Sequence, residues 1–204
     1  MNIKKEKTLW LNLIFMLILI ITWCWDFFFR NGEKTFRLIL ITATVWIFYF
    51  VYKKSFLRKS EISYYLIFSF IVAAMYLGNV FDLYIIVPMY DKILHLISGL
   101  IIGFIGYIFF LYLSNGCEKG DFKPAMAMIF SIIFSIAAAG VWEIWEFSTD
   151  QLFGFASQNN SLVDTMTDII CGTMMGIVAN IPIYLHIRGK KIKFIDKIIE
   201  EMNR

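Results

Sequence analysis

The sequence predicts an all-α integral membrane protein. Hydrophobic residues make up 59% of the 204 residues and charged residues 17%, whereas a soluble domain averages about 45–50% apolar and about 25% charged residues. A soluble domain of this size cannot bury so much apolar surface, and a disordered chain does not carry it. The apolar residues also come in long runs, unlike the ~10-residue alternating segments of a membrane β-barrel. We therefore expect a bundle of membrane-spanning helices.

Six stretches are apolar over roughly the 20 residues that a membrane-spanning helix needs. The second is the shortest, and the long side chains of Arg37 and Lys53 at its ends can reach the membrane surface. Pro124 precedes the fifth stretch and favours the first turn of a helix. The predicted spans are 9–29, 36–52, 62–81, 92–113, 125–147 and 164–187.

These spans form one predicted transmembrane domain over residues 1–187. The remaining residues, 188–204, form a basic cytoplasmic tail with isoleucines at helical spacing. Such a pattern is typical of an amphipathic helix that lies on the membrane. A frayed, charged tail is the alternative.

The basic residues favour one orientation. Six spans place both termini on the same side, and 15 of the 19 Lys and Arg residues then lie in the termini and loops of that side. Positive charge is concentrated on the cytoplasmic side of membrane proteins. We therefore expect a multi-pass protein of the plasma membrane with both termini in the cytoplasm.

Pairs of ionisable residues stand at the outer ends of the last three spans. Residues three or four apart share a helical face. The inner member of each pair lies about four residues from the predicted helix end, roughly 6 Å along the axis. The pairs are Asp91 with His95, Glu143 with Glu146, and Asp164 with Asp168.

Small residues continue these faces toward the middle of the membrane at four-residue intervals. Glycine, alanine and serine at such intervals let membrane helices approach closely. We expect the last three helices to pack along these stripes, so that their acidic ends converge. The stripes are Gly99 and Gly103 after His95, Gly172 and Gly176 after Asp168, and Ser131, Ser135 and Ala139 before Glu143.

The converging carboxylates predict a cation site. Ionisable residues within a membrane helix usually face the bundle interior, and Lys92 and His95 cannot balance so many negative charges. Oxygen ligands suit Mg²⁺, Ca²⁺ or Mn²⁺, and the imidazole widens the choice to Zn²⁺ or iron. The predicted metal ligands are Asp91, His95, Glu143, Glu146, Asp164 and Asp168, with Asp82 and Asp150 as secondary candidates; His95, Glu143 and Asp168 are also the catalytic candidates.

Two alternatives stay open for the same residues. They could form a hydrogen-bonded network with shared protons that only fastens the helices, or a metal-free acid–base or recognition site. Asp26 and His186 are interpreted as interfacial residues near the two membrane surfaces. Nucleic-acid binding is excluded because membrane topology explains the basic segments. A serine-nucleophile hydrolase is not indicated, because the sequence has no serine–histidine motif of that type.

The three motifs together resemble two families of bacterial membrane proteins. In order, they are Tyr90-Asp91-Lys92-x-x-His95, Trp142-Glu143 followed by Trp145-Glu146, and Asp164-Thr165 followed by Asp168. Over roughly residues 76–180 the chain is similar to the VanZ-like proteins and, more closely, to the YjdF-like family. The VanZ-like pattern has Glu-x-x-Gln on the middle helix and Asn in place of Asp168, so the chain departs from it at both points. The first resemblance implies an envelope or antibiotic-response role, and the second implies membrane location.

Three functional hypotheses follow. The protein is a metal-dependent enzyme acting on an envelope lipid or lipid-linked group, with His95 or a spare carboxylate as the base. Alternatively, it is a non-catalytic protein that captures a cation, an amine or a cationic amphiphile. In the third hypothesis it is a structural or partner subunit with a polar network and no ligand.

Overall fold

The computed structural model describes residues 3–114, 123–159 and 161–203 of the chain, and no β-strand occurs in these ranges. Within the described residues, six helices are long and apolar enough to cross a membrane, so the predicted fold class and number of spans are confirmed. The helices are α1 (Ile3–Phe29), α2 (Thr35–Lys54), α3 (Glu61–Ile71, continued as a π-helix over Val72–Val80), α4 (Leu83–Ile86), α5 (Tyr90–Leu113), α6 (Pro124–Phe153), α7 (Leu162–Ile187) and α8 (Lys193–Asn203).

The chain divides into two compact units. The first runs to Pro88 and includes the last residues from Glu200, and the second is Met89–Ile199. In the first unit, a buried hydrogen bond joins α1 to α3. The Tyr64 hydroxyl donates to Asn12 Oδ1 at 2.7 Å. Such pairing is needed because an unpaired polar group costs several kcal/mol in the hydrocarbon core, roughly.

Asp26 stabilises the start of α2 in the first unit. Its side chain is buried, and both carboxylate oxygens accept hydrogen bonds from the Lys34 backbone N–H at 3.1 Å. Thr35 Oγ1 also donates to Asp26 Oδ2 at 3.3 Å. Amides at a helix start lack partners within the helix, and the carboxylate supplies one. Asp26 is therefore a buried structural residue, and its position near the membrane surface stays a prediction.

Helices α5, α6 and α7 of the second unit approach closely along the predicted small-residue stripes. A Cβ atom added to Gly99 would overlap the backbone of Gly172. Ser135 Oγ lies 3.3 Å from the carbonyl oxygens of both Gly99 and Gly172, and Ser131 Oγ donates to the Gly103 carbonyl at 2.7 Å. The packing of the last three spans is thus confirmed, with serine hydroxyls on α6 joining the two glycine stripes.

Helix α8 is amphipathic, as expected, but its apolar side packs on the protein. Ile195 is 1% exposed and belongs to a buried cluster with Tyr107 on α5 and Ile183 on α7. The same contact buries His186, whose Nδ1 lies 3.0 Å from the Tyr107 hydroxyl and whose Nε2 lies 3.0 Å from Asp196 Oδ1. His186 is therefore buried beneath α8, and its position near the membrane surface stays a prediction.

The close approach of α5 and α7 predicts a steric effect at Gly99. We expect Gly99→Ala to lower the stability of the detergent-solubilised protein by about 1–3 kcal/mol, because the added methyl group meets backbone atoms that cannot move independently. Thermal unfolding of the purified protein, monitored by circular dichroism, measures the change.

Gly140→Ala is the matched control. Nothing lies within 4 Å of a Cβ atom at Gly140 on α6, and alanine is the better helix former by about 1 kcal/mol. This variant should be as stable as the parent protein or slightly more so. Equal losses of stability in the two variants would contradict the packing described here.

Candidate metal centre

Three buried side chains from three helices meet near one end of the second unit. His95 on α5, Glu143 on α6 and Asp168 on α7 are 5%, 4% and 1% exposed, respectively. His95 Nε2 lies 3.8 Å from Glu143 Oε1 and 3.9 Å from Asp168 Oδ1. The glycine and serine contacts deeper in the bundle bring the helix axes together and so place these groups within reach of one another.

Asp91 adds a fourth group from the first turn of α5. Its Oδ1 lies 3.6 Å from His95 Nε2, one helical turn further along, as the four-residue spacing predicts. Asp91, His95 and Asp168 each have one potential ligand atom that lies within 4.8 Å of the other two. These three residues, with Glu143 beside them, are the part of the predicted set that surrounds a common point.

Glu143 presents a buried oxygen toward that point. Its Oε2 and its backbone carbonyl accept hydrogen bonds from the side-chain amide of Gln158, at 3.2 and 3.1 Å. Among the described residues, no hydrogen bond reaches Glu143 Oε1, the oxygen that faces His95. A buried carboxylate oxygen without a donor is costly, so this atom marks a place where a positive group would be stabilised.

Lys92 is the main positive charge of the cluster. Its Nζ lies 2.7 Å from both carboxylate oxygens of Asp168 and 2.7 Å from Asp164 Oδ1. The distance from Nζ to Asp91 Oδ2 is 3.7 Å. Sequence reasoning counts Lys92 in the charge balance but does not place it inside the cluster, and its position directly after Asp91 was the available signal.

The other predicted ligands have different partners. Asp164 is held by Lys92 and by the side-chain amide of Asn159, which donates to Oδ2 at 2.9 Å. Glu146 Oε1 accepts a hydrogen bond from Trp142 Nε1 at 2.8 Å. Both residues therefore have hydrogen-bond donors of their own. Among the described residues, the carboxylate oxygens found within 4 Å of His95 Nε2 belong instead to Asp91, Glu143 and Asp168.

The secondary candidates, Asp150 and Asp82, have partners in their own local structure. The Asp150 carboxylate accepts hydrogen bonds from the backbone N–H groups of Ser157 and Gln158, at 2.9 and 3.0 Å. It thereby shapes the segment between α6 and α7 that carries Gln158 to Glu143. Asp82 belongs to the first unit, where its Oδ1 lies 2.6 Å from Lys34 Nζ.

Gln158 and Asn159 are the polar partners that sequence reasoning missed. They stand in a short connecting segment outside any helical repeat, so no spacing rule relates them to Glu143 or Asp164. Their amide side chains can both donate and accept hydrogen bonds. A run of three amide residues (158–160) following an acidic helix end was the one available signal, and it is a weak one.

Comparisons with known proteins show the family to which the chain belongs. A Thermotoga maritima protein, described as an uncharacterized protein, is 30% identical over 107 residues, which is 50% of this chain and 54% of that protein. The chain thus spans about half the length of this curated relative. No solved structure matches. The sequence profile of the family described as "Predicted membrane protein (DUF2238)" matches residues 11–189, and the chain belongs to this family of membrane proteins.

Proposed function

We propose that the cluster binds a divalent cation through His95 Nε2 and one carboxylate oxygen each from Asp91, Glu143 and Asp168. The observation that carries this proposal is the set of distances from His95 Nε2 to those oxygens, which are 3.6, 3.8 and 3.9 Å. Four ligands with bonds of about 2.1 Å at tetrahedral angles stand roughly 3.4 Å apart. The three distances from His95 Nε2 exceed this separation by about 0.2–0.5 Å, and Asp91, His95 and Asp168 offer ligand atoms that all lie within 4.8 Å of one another.

A water molecule fits these distances less well than an ion. Two hydrogen bonds of about 2.8 Å to one water, at its ordinary angle, hold the two outer atoms roughly 4.4 Å apart. The observed distances from His95 Nε2 to Glu143 Oε1 and Asp168 Oδ1 are shorter than that. They are also too long for direct hydrogen bonds. The gap thus favours an occupant that binds at about 2 Å.

The donor set favours Mn²⁺, iron or Zn²⁺ over Mg²⁺ and Ca²⁺. Mg²⁺ and Ca²⁺ take mainly oxygen ligands, whereas imidazole nitrogen suits the transition metals and Zn²⁺. One of the four proposed ligand atoms is the buried His95 Nε2. A metal that accepts both nitrogen and carboxylate oxygen is therefore the best match.

The chemistry that such an ion supplies is polarisation of a phosphoryl or ester oxygen. His95 lies five residues after the start of α5, about 7.5 Å along the helix, and we expect lipid headgroups to lie near that helix end. We therefore include an envelope lipid or lipid-linked group as the substrate class, with Glu146 as the spare carboxylate for proton transfer. The resemblance to VanZ-like proteins supports the alternative, a non-catalytic envelope or antibiotic-response role in which the site captures a cation or a cationic small molecule.

Metal binding by the purified protein tests the proposal. We expect Mn²⁺ or Zn²⁺ to bind the chelator-treated, detergent-solubilised protein and to raise its thermal unfolding temperature, because the ion binds the folded state. Glu143→Gln and Asp168→Asn each remove one charged ligand and should weaken binding at least tenfold, about 1.4 kcal/mol. Isothermal titration calorimetry and elemental analysis measure binding.

Asp82→Asn is the matched control, because it also removes a carboxylate paired with a lysine, but in the first unit. It should leave metal affinity unchanged. If the parent protein binds no divalent ion and Glu143→Gln fails to fold, the cluster is a fastening network instead.

We further propose that both termini lie in the cytoplasm and that the acidic cluster faces outward, on the support of the uneven distribution of Lys and Arg. The cluster lies at the N-terminal ends of α5 and α7. With an even number of spans, these ends are on the side opposite the termini.

Topology reporters test this orientation. A reporter that works only in the cytoplasm should be active when it is fused after Arg58 or at the C-terminus. Both positions come after a span that is predicted to return the chain to the cytoplasm. A reporter of the outer side that is active at either position would reverse the orientation and place the cluster at the cytoplasmic surface.

A further inference from the structure

Lys92 shares its partners with the proposed cation site. Its side chain is 18% exposed, and its Nζ lies 2.7 Å from each carboxylate oxygen of Asp168. Asp168 Oδ1 is also one of the proposed ligand atoms, 3.9 Å from His95 Nε2. Asp91 is shared in the same way, through Oδ2 toward Lys92 and Oδ1 toward His95. Asp91 and Asp168 would therefore each contact both the Lys92 ammonium group and the proposed ion.

The two positive groups would stand close together. A metal ion about 2.1 Å from Asp168 Oδ1 and an ammonium 2.7 Å from the same oxygen are at most about 4.8 Å apart. Like charges at such a distance, largely shielded from water by the surrounding helices, repel strongly. The ion and the ammonium group cannot both keep their full contacts with Asp168.

Asp164 offers Lys92 a second anchor. Asp164 Oδ1 lies 2.7 Å from Lys92 Nζ, and the Asp164 backbone carbonyl lies 3.4 Å from it. Asn159 fixes the other oxygen, Oδ2, at 2.9 Å. The lysine stem is flexible and its ammonium has three donors. The ammonium can therefore move away from Asp168 and still keep a carboxylate and a carbonyl as partners.

We propose that Lys92 is a built-in competitor that sets the affinity and charge selectivity of the cation site, and that Asp164 holds its ammonium group when a divalent ion takes Asp168. This inference rests on the proposed cation site. A monovalent ion brings no more charge than the tethered ammonium it must displace, whereas a divalent ion brings twice as much. Lys92 thus excludes Na⁺ and K⁺ and admits divalent ions.

The test compares purified full-length variants by calorimetry and by the rise in unfolding temperature with added MnCl₂, NaCl or KCl. Lys92→Met should bind Mn²⁺ at least tenfold more tightly than the parent protein, and it should gain a stabilisation by Na⁺ or K⁺ that the parent lacks. Lys34→Met is the matched control, since Lys34 is a buried lysine whose Nζ lies 2.6 Å from Asp82. Its response to each salt should equal that of the parent.

Asp164→Asn tests the second anchor while Lys92 is kept, and it decides the question if Lys92→Met does not accumulate. We expect Asp164→Asn to bind Mn²⁺ at least threefold more weakly than the parent protein, because the Lys92 ammonium group then loses its second carboxylate and stays at Asp168. The double variant Lys92→Met/Asp164→Asn should regain the affinity of Lys92→Met, which a direct metal ligand at Asp164 would not allow.

The outcomes separate this inference from the proposed function. If the parent protein binds Mn²⁺ and Lys92→Met binds it equally or more weakly, the competitor role is wrong and the cation site stands. Unchanged affinity in Asp164→Asn would likewise overturn the role of the second anchor. If neither the parent protein nor any variant binds a divalent ion, the proposed function itself fails.

Discussion

The close approach of α5, α6 and α7 is the constraint on which the candidate site depends. The backbone of Gly172 on α7 leaves no room for a side chain at Gly99 on α5, and Ser135 of α6 lies 3.3 Å from the carbonyl oxygens of both glycines. Because lipid provides no hydrophobic force between helices, close packing and such hydrogen bonds hold the bundle together. The same contacts fix where the ends of the three helices lie, and therefore where His95 and the buried carboxylates meet.

This packing has an electrostatic consequence. Glu143 and Asp168 are buried where water cannot balance their charges, and removal of a carboxylate from water is costly unless it is paired. Lys92 compensates Asp168, and Gln158 donates to one oxygen of Glu143. The other oxygen of Glu143 faces His95 at 3.8 Å. The bundle thus concentrates negative charge beyond what its own lysine neutralises, which is the physical basis of the proposed affinity for a cation.

Periodicity accounts for the parts of the structure that could be predicted from the sequence. The four-residue spacings of Asp91 with His95 and of Gly99 with the residues after it place these groups on one face, so the packing of α5 could be inferred without coordinates. Gln158 follows no period, because it stands in a connecting segment whose path is set by hydrogen bonds to Asp150. The burial of His186 likewise depends on α8 folding back onto the bundle, a tertiary contact that no local pattern encodes.

Three acidic groups of the chain differ in the hydrogen bonds that their carboxylates accept. Asp26 accepts hydrogen bonds from the Lys34 backbone N–H and from Thr35, and Asp82 pairs with the ammonium group of Lys34. Each of these two carboxylates has donors suited to a fixed structural role. Glu143 has a donor on one oxygen only, among the described residues, although it is nearly as buried as Asp26. Helix stability alone would favour a second donor or an apolar side chain at that position. The proposed cation site gives this oxygen a partner, because it lies 3.8 Å from His95 Nε2, another proposed ligand atom.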